Sequence, residues 1–199
     1  MVEKLTNEQK VLIRLFKDLE ENYNSRNLGK KIGISHAGTF KILKSLEKEN
    51  FVVGKTIGRA RIYAINFKNA LALKKTDLAL MQESFTSPRW LEEFRDFENL
   101  TEFVIIFGSI LKNPKAANDV DLLLISKEEN LQKVRITLKK KKEISSKEIH
   151  ALIQSKEDFN RDLNEKNKVT LEILKTGIIL YGQDNLIKSF GIKNGAFRK

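Results

Sequence analysis

Five apolar residues, Phe103–Phe107, end on Gly108-Ser109, and nine residues further on Asp119-Val120-Asp121 opens a second apolar run reaching Ile125. Runs of this length bounded by turn residues read as buried strands. Side chains two positions apart on a strand project from one face, which sets Asp119 and Asp121 side by side, about 6–7 Å apart by strand rise. The strand is otherwise leucine and isoleucine and gives the two carboxylates no counter-ion, so they repel unless a cation joins them. A divalent ion is the natural partner. Magnesium takes one or two carboxylates together with substrate phosphates, and paired ions stabilise the attacking and leaving oxygens of phosphoryl transfer. Gly108 permits close backbone approach, and the N–H groups and hydroxyl at Ser109 suit a triphosphate.

Composition removes most other chemistries. The 199 residues contain no Cys and only two His, His36 and His150. Disulfide scaffolds, thiolate metal sites, cysteine nucleophiles and histidine-rich zinc centres are therefore excluded, and any metal relies mainly on carboxylate oxygen. At 41% hydrophobic residues the chain can fill a core, which excludes a wholly disordered polybasic protein. The first residues mix charges of both signs and carry no targeting pattern, and the apolar runs are too short to span a bilayer. The expectation is a cytoplasmic protein with no membrane partner.

The net charge of +11 is unevenly placed: residues 1–70 carry 14 basic against 7 acidic side chains, more than half of the surplus. A polyanionic partner for this segment follows from the excess. Thr6 can cap a helix whose Val11, Leu12, Leu15, Phe16 and Leu19 recur at helical spacing. Ser25 can cap a second short helix through Leu28 and Ile32, broken at Gly33, and Ser35 can cap a third that turns Leu43 and Leu46 to the core. Phe51–Val53 and Arg59–Ile65 then read as strands around a basic turn.

Three helices and a basic hairpin, carried by ISHAGTFKILKSLEKENFVVGKTIGRARIYAIN, resemble the winged helix-turn-helix family. The resemblance implies that Ser35–Lys48 is the recognition helix and that double-stranded DNA is the partner. On it Lys41, Lys44 and Lys48 suit phosphates, Ser35, His36 and Thr39 lie near the helix start, and His36 and Thr39 are placed for base edges. Arg59 and Arg61 on the wing would clamp the backbone or enter the minor groove. A winged helix that binds protein through a solvated basic face is the alternative. Leu71–Glu83 reads as a connecting helix stopped at Ser87-Pro88, after which Trp90, Leu91, Phe94 and Phe97 return as a packing stripe. Apolar surface left on the connecting helix could support a homodimer.

Gly-Ser, nine residues, then Asp-x-Asp, with a strand before and after, resembles the signature of minimal nucleotidyltransferases related to DNA polymerase beta. The segment TLEILKTGIILYGQDNLI, with Gly177, Tyr181 and Gly182, resembles their closing helix and short strand. The resemblance implies a small mixed sheet with flanking helices. It carries over Gly108 and Ser109 as nucleotide-binding residues and Asp119 and Asp121 as catalytic, metal-holding residues, with Mg2+ or Mn2+ as cofactor and an NTP as substrate or ligand. A third carboxylate is usual in that family. Here the neighbouring strand, Ser146–Gln154, offers Glu148 and His150 on one face as third ligand or base. The run Lys139–Lys142 reads as a solvated helix end or as an attractor for a phosphate-rich acceptor.

Together these readings predict an α+β protein. A winged-helix DNA-binding domain spans 1–70, a helical connector 71–99, a small mixed-sheet α/β nucleotidyltransferase domain 100–190 and a basic tail 191–199. The function they imply is transfer of a nucleoside monophosphate from an NTP to an acceptor, tied to DNA or transcriptional regulation. Two alternatives stay open: a transcription regulator whose second domain binds nucleotide without catalysis, and an antitoxin-type protein that modifies a toxin-like protein partner.

Overall fold

Thr6 starts the first helix. In the computed structural model, which describes residues 4–191, its hydroxyl accepts from the Gln9 N–H at 3.2 Å. The Gln9 side-chain oxygen accepts from the Thr6 N–H at 2.8 Å. This reciprocal pair satisfies donors that the first turn of α1, Asn7–Lys17, leaves open. Helix α2, Ser25–Ile32, is capped one residue earlier than expected: Asn24 Oδ1 accepts from the N–H of Arg26 and of Asn27, and Ser25 is already helical. Gly33, at φ 72°, ends it. Ser35 caps α3, His36–Lys48, as expected, accepting from the Gly38 N–H at 3.1 Å.

Val11, Leu12, Phe16, Leu28, Leu43 and Leu46 are buried and form the centre of this three-helix unit. Helices α2 and α3 approach so closely that a Cβ on Gly29 would come within 2.7 Å of both Ile34 O and Thr39 Oγ1. The strands β1, Val52–Ile57, and β2, Ala60–Ile65, pair antiparallel and close on Gly58-Arg59. The turn is therefore two residues long, shorter than the Gly54–Gly58 stretch read from the sequence, because β1 keeps its ladder through Ile57. The Tyr63 N–H donates to Tyr23 O at 2.8 Å and ties the hairpin to the chain entering α2. Three helices followed by this hairpin are a winged helix.

The chain divides into two compact units, one reaching Gln82 and including the residues from Ile187, the other Glu83–Leu186. The segment 71–99 is helical over α4, Ala70–Ser84, and α5, Pro88–Glu93, but its two parts fall in different units. Apart from Gly191, the basic tail expected over 191–199 lies outside the described residues. No helix among the described residues is long and apolar enough to cross a membrane.

The second unit is a mixed four-stranded sheet with helices on both faces. In chain order its elements are β3 (Phe103–Phe107), α6 (Ser109–Lys112), β4 (Asp119–Ser126), α7 (Leu131–Ile144) and β5 (Glu148–Ser155). These are followed by α8 (Lys156–Asn164), α9 (Lys168–Thr176), β6 (Ile178–Tyr181) and the start of α10 (Gln183–Gly191), whose residues from Ile187 belong to the first unit. The strand order is β5-β4-β3-β6; β3 runs antiparallel to β4 and to β6, and β4 runs parallel to β5. The parallel pair is possible because α7 makes the crossover. Val104, Ile106, Val120, Leu122 and Leu124 pack on one face with Trp90, Phe94, Phe97, Val134 and Leu138. Phe103 meets the Phe159 ring edge-on from the other face, their centroids 4.9 Å apart. Burial on both faces is why β3 and β4 read as unbroken apolar runs.

Candidate functional site

Strand β3 ends where β4 and β5 begin, and the chemistry collects at that end of the sheet. Phe107 pairs with Asp121 across the antiparallel ladder, and Asp119 and Asp121 pair with Glu148 and His150 across the parallel one. All four polar residues therefore share a face. One ligand atom each from Asp119, Asp121 and His150 lie within 4.8 Å of one another, with Asp121 the least exposed of the three side chains. His150 Nδ1 is 3.6 Å from Asp119 Oδ2 and 3.7 Å from Asp121 Oδ1. Glu148, the other residue expected as a third ligand or base, stands outside this group, with Oε1 3.1 Å from His150 Nε2.

Gly108, at φ 84°, lies against Asp121: a Cβ there would overlap Asp121 Oδ2 and come 3.0 Å from Cγ. The missing side chain is the space that the carboxylate occupies. Ser109 begins α6, and its hydroxyl donates to Asp119 Oδ1 at 3.2 Å. Partial burial, and then the neighbouring Asp119 charge, push the Asp121 carboxyl above its ordinary range, with His150 pulling the other way. Two carboxylates and an imidazole converging on one point, one carboxylate raised in this way, form a donor set that fits a divalent cation.

That strain has a sign. A carboxyl raised in the folded state favours folding at pH below its unfolded value, near 3.8. The contribution is lost as pH rises through the raised value. Asp121→Asn removes the loss, so the metal-free variant should melt about 2 °C higher than wild type near neutral pH. The difference should disappear in acid. Calorimetric melts across pH test this, and an unchanged or lower melting temperature at neutral pH would contradict it.

The residues expected to meet DNA divide into two groups. Lys41, Lys48 and Arg59 are exposed, with no ion-pair partner among the described residues. Lys44 lies 3.4 Å from Glu47 Oε2 and over the Phe40 ring. Arg61 donates to Glu47 Oε1 through Nε at 3.1 Å and also through Nη2, so it braces the wing against α3. Ser35 is occupied as the cap, and His36 Nε2 sits 2.9 Å from Ser25 Oγ. Thr39 corrects the expectation of a base-edge contact: it is fully buried in the notch at Gly29, its hydroxyl donating to Ser35 O at 3.0 Å. Glu47 went unread as a structural partner. Its i, i+3 spacing to Lys44 is visible in the chain, but the link to Arg61 spans two elements.

Residues 91–186 match the family model described as "Polymerase beta, Nucleotidyltransferase". The second unit thus carries a nucleotidyltransferase-fold domain. No curated protein matches the chain significantly. A solved structure of the adhesin competence repressor AdcR from Streptococcus pyogenes is similar at 23% identity, over 48% of this chain and 70% of that one. Its TM-score is 0.36, a likeness too slight to bear on function.

Proposed function

We propose that the chain is a DNA-binding winged-helix protein whose second unit transfers a nucleoside monophosphate from an NTP to an acceptor. The observation that carries this reading is the meeting of Asp119 and Asp121 beside Gly108-Ser109 in a domain that matches the nucleotidyltransferase family. Asp119 and Asp121 would hold the divalent ion, magnesium on first expectation, and the ion would neutralise charge developing on the phosphate oxygens. Ser109 can turn its hydroxyl from Asp119 to a phosphate oxygen, and the N–H groups after Gly108 are small donors at the same place. The acceptor oxygen forms a bond to the α-phosphorus while the bond to the leaving pyrophosphate breaks. Incubating the chain with each labelled NTP and a divalent ion should release pyrophosphate.

One observation favours a second reading, a regulator that senses nucleotide without transferring it. His150 stands where a third carboxylate is usual, and no other group of three potential ligands is present among the described residues. Saturable nucleotide binding with no pyrophosphate release would select this reading.

The DNA part rests on Lys41, Lys48 and Arg59, exposed on α3 and at the wing tip. Duplex affinity should fall steeply with salt, and Lys41→Ala/Arg59→Ala should reduce the salt slope by about two. Arg61→Ala should change the slope less, since Glu47 already holds that guanidinium. Binding that ignores salt, or a double variant indistinguishable from wild type, would rule out this DNA surface.

A further inference from the structure

The acidic pair is completed by an imidazole, and Glu148 stands on the far side of that imidazole. His150 turns Nδ1 to both aspartates, while its Nε2 lies 3.1 Å from Glu148 Oε1. An ionised carboxylate only accepts, so a neutral ring with its proton on Nε2, the nitrogen beside Glu148, presents the Nδ1 lone pair to Asp119 and Asp121. In that tautomer two carboxylates and an imidazole lone pair converge as three acceptors that a cation can join. A carboxylate behind a histidine is also the arrangement that orients the ring and raises its basicity as a ligand.

We propose that Asp119, Asp121 and His150 form an oxygen, oxygen, nitrogen site that selects a first-row divalent transition ion over magnesium, with Glu148 as the positioning residue for His150. The proposal rests on the nucleotidyltransferase reading of the same residues. Magnesium is a hard ion that prefers oxygen and keeps its waters. A nitrogen donor shifts preference to the transition series, of which manganese is the weakest-binding member. Preference for manganese is therefore the least effect this donor set should have. A third carboxylate at position 150 would restore an all-oxygen set and remove the preference.

The test uses the full chain stripped of metal, with a non-hydrolysable NTP analogue present. Mn2+ binding is followed by electron paramagnetic resonance and Mg2+ binding by calorimetry and competition. Mn2+ should bind at least about tenfold more tightly than Mg2+, and pulsed resonance should show coupling to one imidazole nitrogen. His150→Asp should abolish the nitrogen coupling and lower the Mn2+ to Mg2+ preference about tenfold. Glu148→Ala should weaken Mn2+ about tenfold and leave Mg2+ unchanged, a split that general destabilisation would not produce. Glu148→Gln, whose amide oxygen can accept from Nε2 at the same place, should recover most of the loss. Equal binding of both ions through Asp119 and Asp121 without nitrogen coupling would overturn this inference and leave the nucleotidyltransferase reading intact. No binding of either ion, or binding that survives Asp119→Ala/Asp121→Ala, would overturn both.

Discussion

Asp119→Ala/Asp121→Ala should lower pyrophosphate release by about 10³-fold or more while the protein stays folded. The two carboxylates sit at the end of β4, outside the packed layers formed by Val120, Leu122 and Leu124, so the change leaves the core untouched. It removes both oxygen ligands and relieves the partial burial and then the repulsion that raise the Asp121 carboxyl. Stability should hold or rise as activity disappears, a combination expected where a site is built against the local preference of its residues. Release that persists in the double variant would place the chemistry elsewhere or in a contaminant. Loss of the folded signal would make Asp119 and Asp121 structural residues.

Gly108→Ala should reduce nucleotide affinity about a hundredfold, although alanine is the smallest possible addition. At φ 84° an L-residue costs about 1–2 kcal/mol more than glycine. The added Cβ also claims the space of Asp121 Oδ2. Either the chain between β3 and α6 shifts, taking Ser109 with it, or Asp121 swings away from Asp119 and His150. Both responses break the convergence, and the first also lowers stability by a few degrees of melting temperature. Nucleotide calorimetry beside a thermal melt measures the two effects together. Unchanged affinity would mean that Gly108 serves only the turn.

Much of this was legible along the chain because the signals are local. The Thr6 and Ser35 caps each depend on atoms three residues apart, and the apolar runs of β3 and β4 report burial on both faces without reference to any partner. Gly-Ser and Asp-x-Asp lie within fourteen residues of each other, joined by one antiparallel pairing of neighbouring strands. Where a competing acceptor lies next door the cap moves by one residue, as at Asn24, whose Oδ1 accepts from two N–H groups and caps the helix in place of Ser25. Thr39 was misplaced for a different reason. Helical spacing locates a residue on a helix, but it does not say that Gly29 has left a notch for it on the facing helix.

The composition and the order of residues established what kinds of group this chain can bring to a reaction: two aspartates in phase on a strand, a glycine-serine turn before them, no thiol, and basic side chains gathered in the first third. They could not rank Glu148 against His150, because both lie on the same face of one strand. The parallel register of β4 and β5 made that choice, setting His150 opposite Asp121 and Glu148 opposite Asp119, with Nδ1 toward the aspartates and Glu148 at Nε2. Strand register is a long-range property, decided by which residues the crossover helix lets pair. A slip of one residue would have turned both side chains to the other face.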